Sequence, residues 1–182
     1  MKSGYASLFV IALALAGAQA AHAKGSSAVK SNLDIVRNSV IAQGTVAYET
    51  YTHDADTGQD WTYQRSIEVT NLVVDAPNCK LSFHYHVITN GEATADLDSW
   101  VPVNNATSIS VATEAVLVGR RDAQAGHASW SSHPQPEIYD AVVNQNGTEN
   151  VFSFYSLAAA QRVAAAFMNA AHACGANPVK DY

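Results

Sequence analysis

The chain has 182 residues, which sets an expectation of one domain. Hydrophobic residues make up 48% and charged ones only 14%, enough apolar surface for one core and too much for a disordered chain. Ten Lys and Arg stand against sixteen Asp and Glu, a net charge of −6, which argues against a nucleic-acid binder or a polybasic membrane-surface protein.

Residues 1–23 have the layout of a secretory signal peptide. Lys2 gives the positive start, residues 8–16 an apolar run, and Ala18-Gln19-Ala20 and Ala21-His22-Ala23 two small-x-small sites. Cleavage is expected after Ala23, with Ala20 the second choice. The run is too short to span the ~30 Å hydrocarbon core, and no later stretch approaches ~20 apolar residues. A secreted or periplasmic protein without a transmembrane span is therefore expected.

Residues 24–43 read as an N-terminal lead-in, small, polar and disordered over 24–31. Leu33, Val36 and Val40 then suggest a short turn of helix or an irregular strand. A single domain over 44–175 and a tail over 176–182 complete the organisation. Residues 46–51 are rich in aromatic and β-branched side chains, and 53–58 carry turn chemistry. In 61–74, Trp61, Tyr63, Ile67 and Val69 alternate with polar neighbours, with a bend or break near Asn71. The cleanest alternation follows in 79–89. Cys79, Leu81, Phe83, Tyr85 and Val87 share one face, and Lys80, Ser82, His84 and His86 the other. Asn90-Gly91 is a hairpin signal. A fourth strand ends in Trp100-Val101, and a fifth over 107–111 is extended by 116–118.

Residues 119–136 are polar and show no periodicity. They read as a loop, either a mobile insertion or a partner-binding segment in which Arg120 and Arg121 hold an anion and Trp130 is an aromatic anchor. A final hairpin joins 138–143 to 151–154 around Asn146-Gly147. Ser156 then opens an alanine-rich helix over 157–174, with Leu157, Ala160, Ala164, Phe167, Ala171 and Cys174 in one stripe and Gly175 as its stop.

Export places Cys79 and Cys174 in an oxidising compartment, where two thiols in a small domain pair. Cys79 opens a strand on its inward face and Cys174 closes the helix stripe, so the bridge would pin the helix end to the sheet. About seven antiparallel strands and one terminal helix predict a mainly β fold, a small barrel capped by that helix.

That layout resembles the pleckstrin-homology-like barrel. The ending, with Phe154-Tyr155-Ser156-Leu157-Ala158, Ala160-Gln161-Arg162-Val163-Ala164 and Ala171-His172-Ala173-Cys174-Gly175, resembles secreted bacterial proteins of unknown function. The resemblance implies a fold and no active site. The basic first hairpin of lipid-binding members has no counterpart, because residues 53–60 are acidic here.

His84 and His86 lie two apart on one strand face, a spacing that suits two ligands of zinc or copper. A third ligand would have to come from His53, His127, His133, Asp96 or Asp98, and the plainer reading is two solvent-facing histidines. Asp54, Asp56, Gly58 and Asp60 resemble a calcium loop but miss its fifth, sixth and twelfth positions, and read as a turn. There is no G-x-S-x-G elbow, P-loop, G-x-G-x-x-G or C-x-x-C, so neither an enzyme nor a cofactor is expected. The expected function is a non-catalytic binding or interaction domain. The alternatives are metal binding through His84 and His86, and a lipocalin-like carrier of a small apolar ligand.

Overall fold

The computed structural model describes residues 25–180 with their side chains, within elements that run from Ser7 to Asp181. The expected signal peptide, 1–23, lies outside the residues so described. The fold is mainly β, with three helices among the described residues: α1 (Ser7–Gln43), α2 (Glu114–Gln124) and α3 (Leu157–Ala173). No described helix is long and apolar enough to cross a membrane.

Nine strands form two sheets. β1 (Val46–Asp54), β2 (Gln59–Asp75), β3 (Lys80–Thr89), β4 (Glu92–Pro102) and β6 (Trp130–Gln135) make the larger one, in the order β4-β3-β2-β1-β6. β5 (Ser108–Thr113), β7 (Tyr139–Gln145), β8 (Thr148–Phe154) and β9 (Val179–Asp181) make the smaller, in the order β8-β7-β5-β9. Neither sheet closes on itself, so the expected barrel is replaced by two open sheets, and the single capping helix by three helices.

The hairpins form where the turn residues place them. Asn90 and Gly91 both take positive φ, 53° and 84°, the twist a two-residue hairpin needs. Asn71 also sits at positive φ, and the β2–β3 register shifts between Thr70 and Val73, the irregularity expected near Asn71.

Two stretches differ from their expected form. Residues 25–43 are helical and belong to the core, with Val29, Leu33, Val36 and Val40 buried in one stripe. That stripe packs antiparallel on α3: Gly25 approaches Ala173 at one end, and the Tyr155 N–H donates to Gln43 Oε1 at the other. The last residues are not a free tail, since β9 pairs parallel with β5.

The alanine stripe of α3 allows this close approach. Ala160, Ala164, Phe167, Ala171 and their neighbours are buried, whereas Leu157 lies exposed before the packed region begins. Phe167 lies 5.2 Å from Phe152, and Phe152 5.2 Å from Phe83, ring to ring, so one aromatic seam joins α3, the small sheet and the large sheet.

Cys79 sits in the turn just before β3, at φ 53°, and its sulfur is bonded to that of Cys174 at the end of α3. The bridge closes a sequence separation of 95 residues, for which loop entropy alone gives about 4 to 5 kcal/mol. Replacing both cysteines by serine is expected to lower the thermal midpoint by roughly 10 °C or more. An unchanged midpoint by circular dichroism would show that the bridge does not contribute.

Candidate functional site

The inward face of the large sheet changes character along its length. At the α3 end it is apolar, with Leu81, Phe83 and Val101. Further along, the same parity brings Tyr48, Arg65 and Tyr85 to face the interior. Tyr48 and Arg65 are direct cross-strand partners of β1 and β2, and Tyr85 lies on β3 opposite Leu97 of β4. Glu114 meets them from the start of α2.

Helix α2 begins where it does because Thr113 accepts a hydrogen bond from the Val116 N–H, capping the first turn. The Glu114 N–H donates to the Ile138 carbonyl, tying that turn to the chain entering β7. Residues 116–118, expected as strand, are helical because Leu117 and Val118 bury one face of this helix. Residues 119–136 are correspondingly a helix, a turn and a strand, and not the long loop that the lack of periodicity suggested.

Glu114 is only 2% exposed, and one of its oxygens, Oε1, gathers three donors. The Tyr48 hydroxyl donates to it at 2.7 Å, Arg65 Nη1 at 3.4 Å, and Arg121 Nη1 stands 3.7 Å away. A buried carboxylate needs this compensation, because an unpaired charge away from water is strongly destabilising. Burial and the Glu114 charge push the Tyr48 hydroxyl well above the usual tyrosine range, so it is a permanent donor.

A second carboxylate lies beside the first. Asp140 of β7 is fully buried, opposite Ser153 of β8 and beside Glu114. Burial, then the charge of Glu114, raises its pKa from 3.8 to about 8, so Asp140 is a neutral acid at neutral pH. The cluster therefore sets two guanidiniums against a pair of carboxyls that share a proton at neutral pH.

Arg121 connects the cluster to the surface. Its side chain is 41% exposed and lines a cleft of about 270 Å³ between the inner face of β3 and β4 and the strand β8. Phe83, Tyr85, Leu97 and Val151 supply apolar walls, and Glu149 stands at the rim. Arg120 donates to Glu149 at 2.9 Å, so that pair is neutral. Of the three residues expected in a partner-binding loop, Arg121 lines the cleft and Arg120 bonds to its rim. Trp130 lies elsewhere, stacked 3.8 Å from His127 and edge-on to Trp61 at 4.7 Å, beside the turn held by Asp54.

That turn accounts for the acidic residues at 54–60. The Asp54 carboxylate accepts from the Asp56 N–H at 3.0 Å, from the Thr57 hydroxyl at 2.6 Å and from the Ser129 hydroxyl at 2.7 Å. The Thr57 and Ser129 bonds are the largest causes of a carboxyl pKa held down at about 2.

His84 and His86 lie on the outer face of β3, as their alternation requires. His84 Nε2 is 2.8 Å from Asp96 and Nδ1 3.0 Å from Asp98, both on β4, while His86 is 3.7 Å from Asp96. Hydrogen bonding to Asp98, then to Asp96, raises the His84 pKa. The fold thus brings two of the expected third-ligand candidates close. Even so, no group of three His, Cys, Asp or Glu among the described residues is arranged to hold a metal ion.

Compared with known proteins, the chain matches no protein-family model, no curated protein and no solved structure.

The titration of Asp140 has a defined sign. Its pKa is higher folded than unfolded, so between about pH 4 and pH 8 the folded chain keeps a proton that the unfolded chain has released. Stability falls as pH rises through that window. Asp140→Asn is expected to match the parent's thermal midpoint below about pH 4 and to exceed it by roughly 4 °C or more above about pH 8. Parallel melts of the two proteins across this range check the expectation, and equal slopes with pH would refute it.

Proposed function

We propose that the chain is an exported, non-catalytic ligand-binding domain that takes a small monoanion with an apolar body in the cleft between β4 and β8. The observation that carries this reading is Arg121. One guanidinium is held at Glu114 and faces a cleft with Phe83, Tyr85, Leu97 and Val151 on its apolar side and Ser99, Thr148, Asn150 and the Arg120-paired Glu149 on its polar side. The surplus positive charge of the cluster suits an anionic head, and the aromatic and aliphatic walls suit its tail.

Burial supports the non-catalytic part. Asp140 and Glu114 have the perturbed surroundings often found in catalytic acids, yet they are 0% and 2% exposed. Glu114 acts instead on Arg121, 3.7 Å away, which it orients. The disulfide suits an oxidising compartment. The leader-like start and the resemblance of residues 154–175 to secreted bacterial proteins favour export. The carrier reading persists in altered form, with an open cleft in place of a barrel interior.

Octanoate and 1-octanol, which share a chain and differ in charge, make a direct test. Octanoate is expected to shift the NMR signals of Leu97 and Val151 saturably, and octanol to do so far more weakly. Arg121→Gln is expected to reduce octanoate affinity about tenfold or more. Equal binding of the acid and the alcohol, or no loss in Arg121→Gln, would count against the proposal.

A further inference from the structure

A second cleft, of about 360 Å³, opens beside Trp100 on the other side of Ser99. Trp100 is 60% exposed. The alternation of β4 sends its side chain to the outer face, where its cross-strand neighbour on β3 is Ser82, too small to cover an indole. The other exposed or half-buried aromatics are engaged. Trp61 and Trp130 pack on each other, the Tyr155 hydroxyl donates to the Ala47 carbonyl, and Tyr51 hydrogen-bonds to Asp60. Trp100 enters no ring pair among the described residues.

The polar lining of this cleft is uncharged. It consists of the amides of Asn105, Gln145, Asn146 and Asn150 with the hydroxyls of Thr148 and Ser99. Two of the amides are fixed: Gln145 Nε2 donates to the Pro102 carbonyl at 2.9 Å, and Asn150 Nδ2 donates to Gln145 Oε1 at 3.4 Å. Asn105, Asn146 and Thr148 are exposed to the cleft's solvent side.

This combination selects a ligand chemistry. An ion would find no countercharge, and a purely apolar molecule would cover amides without bonding them, at a cost for each desolvated group. A pyranose has both required surfaces. One face presents C–H bonds to the negative π face of an indole, and the rim presents hydroxyls that each donate and accept, as each amide does. We propose that the Trp100 cleft binds a neutral saccharide, with a sugar ring stacked on the indole and its hydroxyls bonded to Asn105, Asn146 and Asn150. The site goes beyond the anion cleft and does not depend on it, although Ser99, Thr148 and Asn150 border both.

The chain has three tryptophans, so a 15N spectrum has three indole N–H signals, and Trp100→Phe identifies the one that matters. Cellotriose, maltotriose and fully N-acetylated chitotriose, all neutral, are titrated separately into the intact protein. At least one is expected to shift the Trp100 signal saturably while leaving those of Trp61 and Trp130 in place. Trp100→Ala is expected to weaken that trisaccharide about tenfold or more, measured calorimetrically. Asn146→Gly, which tolerates the positive φ of its turn, is expected to weaken it several-fold with an unchanged melting curve. The proposal is overturned if none of the three sugars moves the Trp100 signal, or if Trp100→Ala binds as well as the parent. It is also overturned if octanoate moves that signal and the sugars do not, since the cleft would then be an extension of the Arg121 site.

Discussion

A single carboxylate oxygen, Oε1 of Glu114, sets the terms for the middle of this protein. It lies at the start of α2, away from water, and an ionised group there is tolerable only if donors reach it. Those donors come from β1, β2 and α2 itself. The need to satisfy one charge thus fixes the register of Tyr48 against Arg65, the docking of α2 on the large sheet and the direction of Arg121. It also governs the neighbouring acid. Burial and the neighbouring Glu114 raise the Asp140 pKa, and the cluster is left with a surplus guanidinium charge that faces the cleft.

Much of this fold was legible in the residues. The alternation of 79–89 identified the inward and outward faces of β3, and Asn90-Gly91 and Asn146-Gly147 marked their hairpins. Helix α3 carried its cap position, stripe and stop in sequence. Other elements were hidden by competing signals. Val116-Leu117-Val118 has strand-forming side chains, but Thr113 caps a helix and burial of Leu117 and Val118 holds it, so tertiary packing overrode local preference. Residues 24–31 read as a disordered lead-in because they are small and polar, while Val29 contacts a core assembled from the far end of the chain.

The cluster itself was the least legible feature. Asp and Glu near turns are ordinarily solvated, and nothing local distinguishes Glu114 or Asp140 from the other acids. One signal was present: Arg65 has the same strand parity as Trp61, Tyr63 and Ile67, and an arginine on an otherwise apolar face requires a buried partner. The outer face behaves as its alternation implies. Asp96 and Asp98 on the edge strand β4, paired with His84, place charge along a row of backbone groups that would otherwise invite another strand. Open sheets with edges need such charges, whereas a closed barrel would not.

The pairing of α1 with α3 bears on how the chain reaches this state. α1 has its partner in the last helix, β5 has its outer neighbour in β9, and the turn before β3 is bonded to the residue that ends α3. α1, β5 and the turn before β3 therefore wait for late partners, and the loop-closure entropy of those distant contacts falls before their reward. The β1–β4 meander can form locally, but its apolar end remains uncovered until residues 157–174 are delivered. A chain emerging from its N-terminus would stay open and pliable for most of its length and close in one late, cooperative step.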